Sequence, residues 1–396
     1  MGTASLGFAR QVGLHREVGG TKIQGGVGLR QLLNGLRFTI AKWAAGECQA
    51  DDKFILPVPK EFRTRVLDAI RSAGVDRTNV LAVGMGYSPF VHAKRWALSV
   101  YANEECSASK RHIRSFHPGF DLFLTKHVSI RPMGLFRGPS GERLAKVVRP
   151  GCCISHQSLH SPGTLGCILR GSDRKDRYIL SAGHVLSDSG FTVMNGDVVY
   201  QPPNGQRKRV VSSNIQLCRS HRTSDRNRLQ ILDAGVAKLS PEITYDPRIP
   251  GVGLIATLAA PSASLPVQKY GAQSGHKVSR ILHESFTFIH QKAGNVDFFS
   301  DDLFTVHNDC SITRSSLSRR NSKRVKPWAK AGDCGSIVLD LAGRPLGLIV
   351  AVATPDQSAP SRSARANEPE FVFVQRLQPV LDHFGLRVHH KPGKNP

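Results

Sequence analysis

Acidic residues are scarce in this chain. Asp and Glu number 30 against 54 Lys and Arg in 396 residues, a formal net charge of +24. A field of that sign attracts polyanions and acidic surfaces but selects no fold. Aromatics are also few, at 7%, and no basic motif is interleaved with the rings that stack on bases. Contact with nucleic acid is therefore expected to be non-specific at most. No run approaches the roughly 18 apolar residues that span a bilayer. The first residues, Met1 to Leu6, lack a basic region followed by an apolar one, and they lack the Ser or Thr of a myristoylation pattern. The expectation is no membrane association and a cytoplasmic location. Eight cysteines (Cys48, Cys106, Cys152, Cys153, Cys167, Cys218, Cys310, Cys334) never form a C-x-x-C pair. They read as buried or free thiols, not as a disulfide framework or a metal site. Gly84-x-Gly86 is not a phosphate loop, because Pro89 follows and no helix starts there. No cofactor and no metal are implied, and nothing bears on the oligomeric state.

What is present is organised in four stretches. Residues 1–54 are rich in Gly and Arg with weak periodicity and read as poorly ordered, with one short helix near Leu29 to Ile40. Residues 55–148 read as a small α+β domain. Phe62, Val66, Ile70 and Ala73 recur at helical spacing before Gly74, and Asn79–Tyr87 and Trp96–Tyr101 read as strands. Residues 149–388 carry many short apolar segments separated by Gly, Pro, Asn and Asp, the pattern of an all-β barrel or sandwich domain. Within them, Ser311 to Lys330 holds seven Lys and Arg among serines and reads as an exposed basic loop. Leu377, Val380, Leu381 and Phe384 at helical spacing, then Gly385, predict a closing helix. Residues 389–396 form a polar tail.

Three segments carry chemistry. Arg177–Leu186 is an apolar strand ending at His184. Leu232–Leu239 is a second strand opening with Asp233. Gly332-Asp333-Cys334-Gly335-Ser336 is a tight turn around a thiol. A cysteine nucleophile needs a base to take its proton, and the base needs an orienter that fixes its tautomer. His184 and Asp233 fit those roles in the order His, Asp, nucleophile. Alone, each has a blander reading: a surface histidine, a turn aspartate, a small buried thiol. The conjunction is what points to a protease-type site.

These segments resemble the trypsin-like peptidase superfamily. More narrowly they are similar to bacterial trypsin-like proteins related to the plant Narrow-leaf family, which carry a small N-terminal α/β unit. The resemblance rests on Val83–Tyr87, Arg149-Pro150-Gly151, Gly163–Gly166, Leu180–Leu186, Asp233–Ala237, Val267–Gly275 and the nucleophile turn with Gly347-Leu348-Ile349. It implies a mainly β, two-barrel chymotrypsin-like fold preceded by a small α+β domain and closed by a C-terminal helix. It implies an endopeptidase acting on protein or peptide substrates, with Cys334, His184 and Asp233 as triad. The oxyanion hole would be the N–H groups of Gly332 and Cys334, and Ala351, Val352 and Ala353 would pair with substrate backbone. Those relatives have serine where this chain has Cys334, as viral cysteine proteases of the same fold do not. Asp333 matches the turn aspartate of the family, and no processing site supports an N-terminal ammonium reaching it. The alternative reading is a catalytically inactive protein of this fold that binds peptides or partner proteins.

Overall fold

The structure is a computed structural model. It describes residues 28–46, 58–87, 95–102, 112–117, 120–126, 128–132, 146–158, 162–171, 175–187, 192–201, 209–218, 221–222, 229–230, 232–292, 295–308, 327–355 and 371–388. The expectations for the first 27 residues, for most of the basic loop (311–326) and for the polar tail lie outside the described residues. Two compact units emerge. One comprises 1–129, 222–230 and 282–303; the other comprises 130–221, 231–281 and 304–396.

In the first unit the helix α1, Leu29–Ala44, is longer than the short helix expected there. It is also buried: Leu33, Leu36 and Ile40 have no exposed surface. These residues fall three and four apart, so one stripe of the helix enters the core. Helix α2, Lys60–Ser72, buries Phe62, Val66 and Ile70 as its spacing predicts. Strand β1 (Val80–Tyr87) pairs antiparallel with β2 (Trp96–Ala102). Strand β4 (Phe120–Lys126) pairs parallel with β2 and antiparallel with β3 (His112–His117). Leu33, Leu36, Ile70, Val83, Leu98 and Phe120 share one core.

Strand β5 (Val128–Pro132) opens the second unit with its last three residues. One sheet of this unit holds β6 (Cys153–His156), β7 (Gly163–Thr164), β8 (Cys167–Arg170), β9 (Arg177–Ser181), β10 (Val198–Gln201) and β11 (Arg209–Leu217). The chain then runs through the two-residue strands β12 (His221–Arg222) and β13 (Leu229–Gln230) to β14 (Gly235–Leu239). The remaining strands are β15 (Pro266–Gly271), β16 (Gly275–Lys292), β17 (Asn295–His307), β18 (Ile337–Asp340), β19 (Pro345–Pro355), β20 (Phe371–Arg376) and β21 (Arg387–Val388). The first sheet has the order β21-β8-β9-β14-β11-β10-β6-β7. The second is built on β17-β20-β19-β18-β15-β16, and β5 also pairs with β19. Helix α3, Leu377–Phe384, follows β20 and ends at Gly385 with a φ of 63°. Ile154, Ile179, Val199, Ala237, Val267, Phe304, Ile349 and Val374 form one apolar core in this unit. The architecture is mainly β, with two barrel-like sheets, a small N-terminal helical region and a C-terminal helix, which fits the chymotrypsin-like fold that the resemblance implies.

Candidate active site

His184 stands at the end of β9. Ile179 and Leu180 are buried in the core. Beyond Ser181 and Ala182 the chain leaves the sheet in a single 3₁₀ turn, Gly183–Val185, closed by bonds from Val185 N to Ala182 O and Leu186 N to Gly183 O. Strand β14 pairs antiparallel with β9, Gly235 opposite Ser181 and Val236 opposite Leu180. Continued by two residues, that register puts Asp233 beside Gly183. Its carboxylate meets His184 twice. The His184 backbone N–H donates to Oδ1 at 3.0 Å, and Nδ1 bonds Oδ2 at 2.7 Å.

Cys334 lies in the turn before β18. Gly332 and Gly335 have φ of 93° and 90°, backbone that side-chain-bearing residues rarely adopt. A Cβ on Gly335 would also collide with Ser181 Oγ and Thr164 O. Thr164 clamps the turn. Its N–H donates to Cys334 O at 2.7 Å, its Oγ1 donates to Gly332 O at 2.8 Å, and the same Oγ1 accepts from Ala272 N at 3.0 Å. On the far side Gly335 N donates to Ile349 O at 2.8 Å. The Cys334 side chain is 1% exposed, and Sγ donates to Val350 O at 3.6 Å.

Cys334 is near enough to His184 for its charge to act on the ring. Burial pushes the imidazole toward its neutral form, but Asp233 and Cys334 outweigh that and hold its pKa well above the usual histidine value. The structure therefore pairs His184 with Asp233 through two hydrogen bonds, with Cys334 near enough to act on the ring's charge. Gly332 and Cys334 are buried, and among the described residues no partner is bonded to the amide N–H of either. Ala351, Val352 and Ala353 follow Val350 along β19. One edge of this stretch is taken by β20, through Phe373, Val372 and Phe371.

Sequence reasoning did not single out Thr164 or Lys269. Lys269 lies inside the apolar strand β15 with no exposed side-chain surface, and its Nζ is 2.8 Å from Asp333 Oδ2. A fully buried lysine calls for a paired carboxylate, but nothing local in the sequence shows that Lys269 is buried. Of the basic loop, Trp328 is fully buried and Lys330 is exposed.

No family model and no curated protein matches this chain. Among solved structures it is similar to Thermobifida fusca protease A, 16% identical over 62% of this chain and 100% of that one, with a TM-score of 0.35. It is similar to a glutamic-acid-specific serine protease, 14% identical over 61% of this chain and 100% of that one, with a TM-score of 0.38. Cellulomonas bogoriensis chymotrypsin is 14% identical over 62% of this chain and 99% of that one, with a TM-score of 0.35. Likenesses this low decide nothing by themselves, and the function has to come from the geometry of the site.

Proposed function

We propose that this chain is an endopeptidase that hydrolyses peptide bonds by acyl transfer to Cys334, with His184 as base and Asp233 as its orienter. The observation that supports it most is the His184 ring held by Asp233 through Nδ1 at 2.7 Å, with Cys334 near enough to raise its pKa. Asp233 fixes the tautomer, so the second ring nitrogen is the one free to take the Sγ proton. Sγ then bonds the substrate carbonyl carbon. The oxyanion that forms sits on the N–H groups of Gly332 and Cys334. The C–N bond breaks as His184 returns its proton to the departing amine, leaving a thioester. Water attacks the thioester, His184 takes the water proton, and the C–S bond breaks with the proton returned to Sγ. Substrate backbone would lie along Ala351 to Ala353, next to the Val350 carbonyl, on whatever part of the edge opposite β20 the pairing of β5 with β19 leaves open.

A fluorogenic casein digest tests this reading. Cleavage by the wild type that is lost in a folded Cys334→Ala variant supports it. No cleavage by either protein sinks it. A second reading, a non-catalytic protein that binds peptide, is favoured by the thiol being 1% exposed with its hydrogen directed at Val350 O. Peptide binding without turnover by the wild type would select it. The net charge of +24 supports salt-sensitive, non-specific attachment to polyanions as a secondary property.

A further inference from the structure

Three arginines stand in one row at the edge of the first sheet. Strand β21 pairs antiparallel with β8, Arg387 opposite Arg170, and β8 pairs with β9, Arg170 opposite Arg177. Residues directly opposite share a face, with Cβ atoms about 4.5–5.5 Å apart, and like charges so placed repel. Arg387 is exposed, and Arg170 and Arg177 are half-buried. The Arg177 guanidinium is fixed in place: Nε donates to Tyr245 Oη at 2.9 Å, and Nη1 donates to the carbonyls of Asp176 and Lys175 at 3.0 and 3.1 Å. The Asp176 carboxylate accepts from Lys238 Nζ at 2.7 Å, and Lys238, opposite Tyr178, belongs to the other face. Strand β21 is also the last of its sheet, with β8 as its one neighbour among the described residues. A cavity of about 450 Å³ adjoins it, lined by Thr257, Leu258, Leu381, Asp382, Arg387 and Val388 among others. Asp382 accepts there from Gln378 Nε2 at 2.7 Å. Arg177 opens β9 and His184 follows its last residue, so the row lies at the end of β9 away from His184.

An edge strand presents backbone N–H and C=O groups to an incoming strand, and a segment that adds there brings alternate side chains into line with the row. We propose that β21 and its arginine row dock an extended acidic segment of a partner protein. The segment continues the sheet beyond β21, with an Asp or Glu opposite Arg387. The residue beside it, opposite Val388, is apolar, since Leu258 and Leu381 line the same cavity. The carboxylate takes two parallel N–H bonds from the guanidinium and offsets the repulsion along the row. The net charge of +24 speeds encounter with such a partner. Because the row is away from His184, the segment held here is not the one presented to Cys334. The inference stands whether or not Cys334 is a nucleophile.

The test uses the full chain carrying Cys334→Ala, so that no probe is cleaved, and reads fluorescence anisotropy. One probe is a labelled peptide of alternating Glu and Val. A second has Pro in place of alternate Val residues, which keeps the charge and prevents pairing as a strand. A third is a single-stranded oligothymidylate of the same length. The Glu-Val peptide should bind, and Arg387→Glu should weaken it by about 10-fold or more, Arg387→Gln by less. The Pro-containing peptide should bind about 10-fold more weakly than the Glu-Val peptide, from its lost backbone bonds. If Arg387→Glu does not fold, Arg387→Gln carries the test. No binding of the Glu-Val peptide overturns the inference, as does binding unchanged by either substitution. Equal binding of the two peptides overturns it too, since charge alone would then suffice. An oligothymidylate that binds more tightly than the peptide and is released by Arg387→Glu assigns the row to nucleic acid instead. A dimer in size-exclusion chromatography that Arg387→Glu dissolves assigns the edge to a second copy of the chain, and either result overturns the acidic segment.

Discussion

Asp233 holds His184 at two points, one carboxylate oxygen on the backbone N–H at 3.0 Å and the other on Nδ1 at 2.7 Å. One side chain therefore sets both the position of the histidine main chain and the orientation of its ring. Asp233→Asn should keep the fold, because an amide oxygen can still accept from the backbone. It should lower kcat by about 10⁴-fold with little change in KM, since the wrong tautomer is then favoured. Steady-state kinetics on a peptide substrate check this; a loss confined to KM would mean that Asp233 acts on binding.

Cys334 should be the first described thiol to react. Burial pushes the Cys218 thiol up to about 12 and raises that of Cys167 further, so neither supplies thiolate at neutral pH. Peptide mapping after brief iodoacetamide treatment should find the label on Cys334, and uniform slow labelling would contradict its role. Cys334→Ser should retain measurable turnover, because His184 and Asp233 can activate a hydroxyl in the same turn. An inert, well-folded serine variant would show that the site depends on thiolate chemistry.

Thr164 is fully buried and bonds the turn at Gly332 O while accepting from Ala272 N. Thr164→Val keeps the shape and removes the hydroxyl, leaving a buried donor and acceptor unpaired. The expected cost is about 1–3 kcal/mol of stability, read by urea denaturation, with a fall in kcat because Gly332 carries one of the proposed oxyanion donors. A variant as stable and as active as the wild type would remove Thr164 from the account.

Gly335 sits at a φ of 90° with Ser181 Oγ and Thr164 O where a Cβ would go. Gly335→Ala should cost about 1–3 kcal/mol from the backbone conformation alone, with more from the collision. A thermal midpoint unchanged from the wild type would show that the turn relaxes freely.

The raised pKa of His184 has a definite sign for stability. Burial opposes the charged ring, and Asp233 and Cys334 more than compensate, so the folded state binds this proton more tightly than the unfolded chain. The contribution is fully present below the ordinary histidine value, about 6.5, and is lost as pH rises through the elevated folded value. The difference in melting temperature between wild type and His184→Gln should be largest below about pH 6.5 and shrink as pH rises. A difference that grows with pH would reverse the assignment.

The strand pattern, the helix at Phe62 to Ile70 and the closing helix at Leu377 were legible in the sequence, and His184, Asp233 and Cys334 stood out there as expected site residues, because period-2 and period-3.6 burial and tight Gly turns leave local marks. Helix α1 was only half legible. Its leucines become informative once a sheet is there to cover them, and a Gly- and Arg-rich neighbourhood hides them. The pairing of His184 with Asp233 was left to tertiary structure: the register of β9 on β14 brings the carboxylate to the ring. The same holds for Thr164 and Lys269. Thr164 reads as an ordinary strand residue and Lys269 as one basic residue among 54 Lys and Arg. What makes them part of the site is burial, which turns a hydroxyl into a clamp on Gly332 and an ammonium into the partner of Asp333, and burial is decided by how the sheets close around them rather than by any local run of residues.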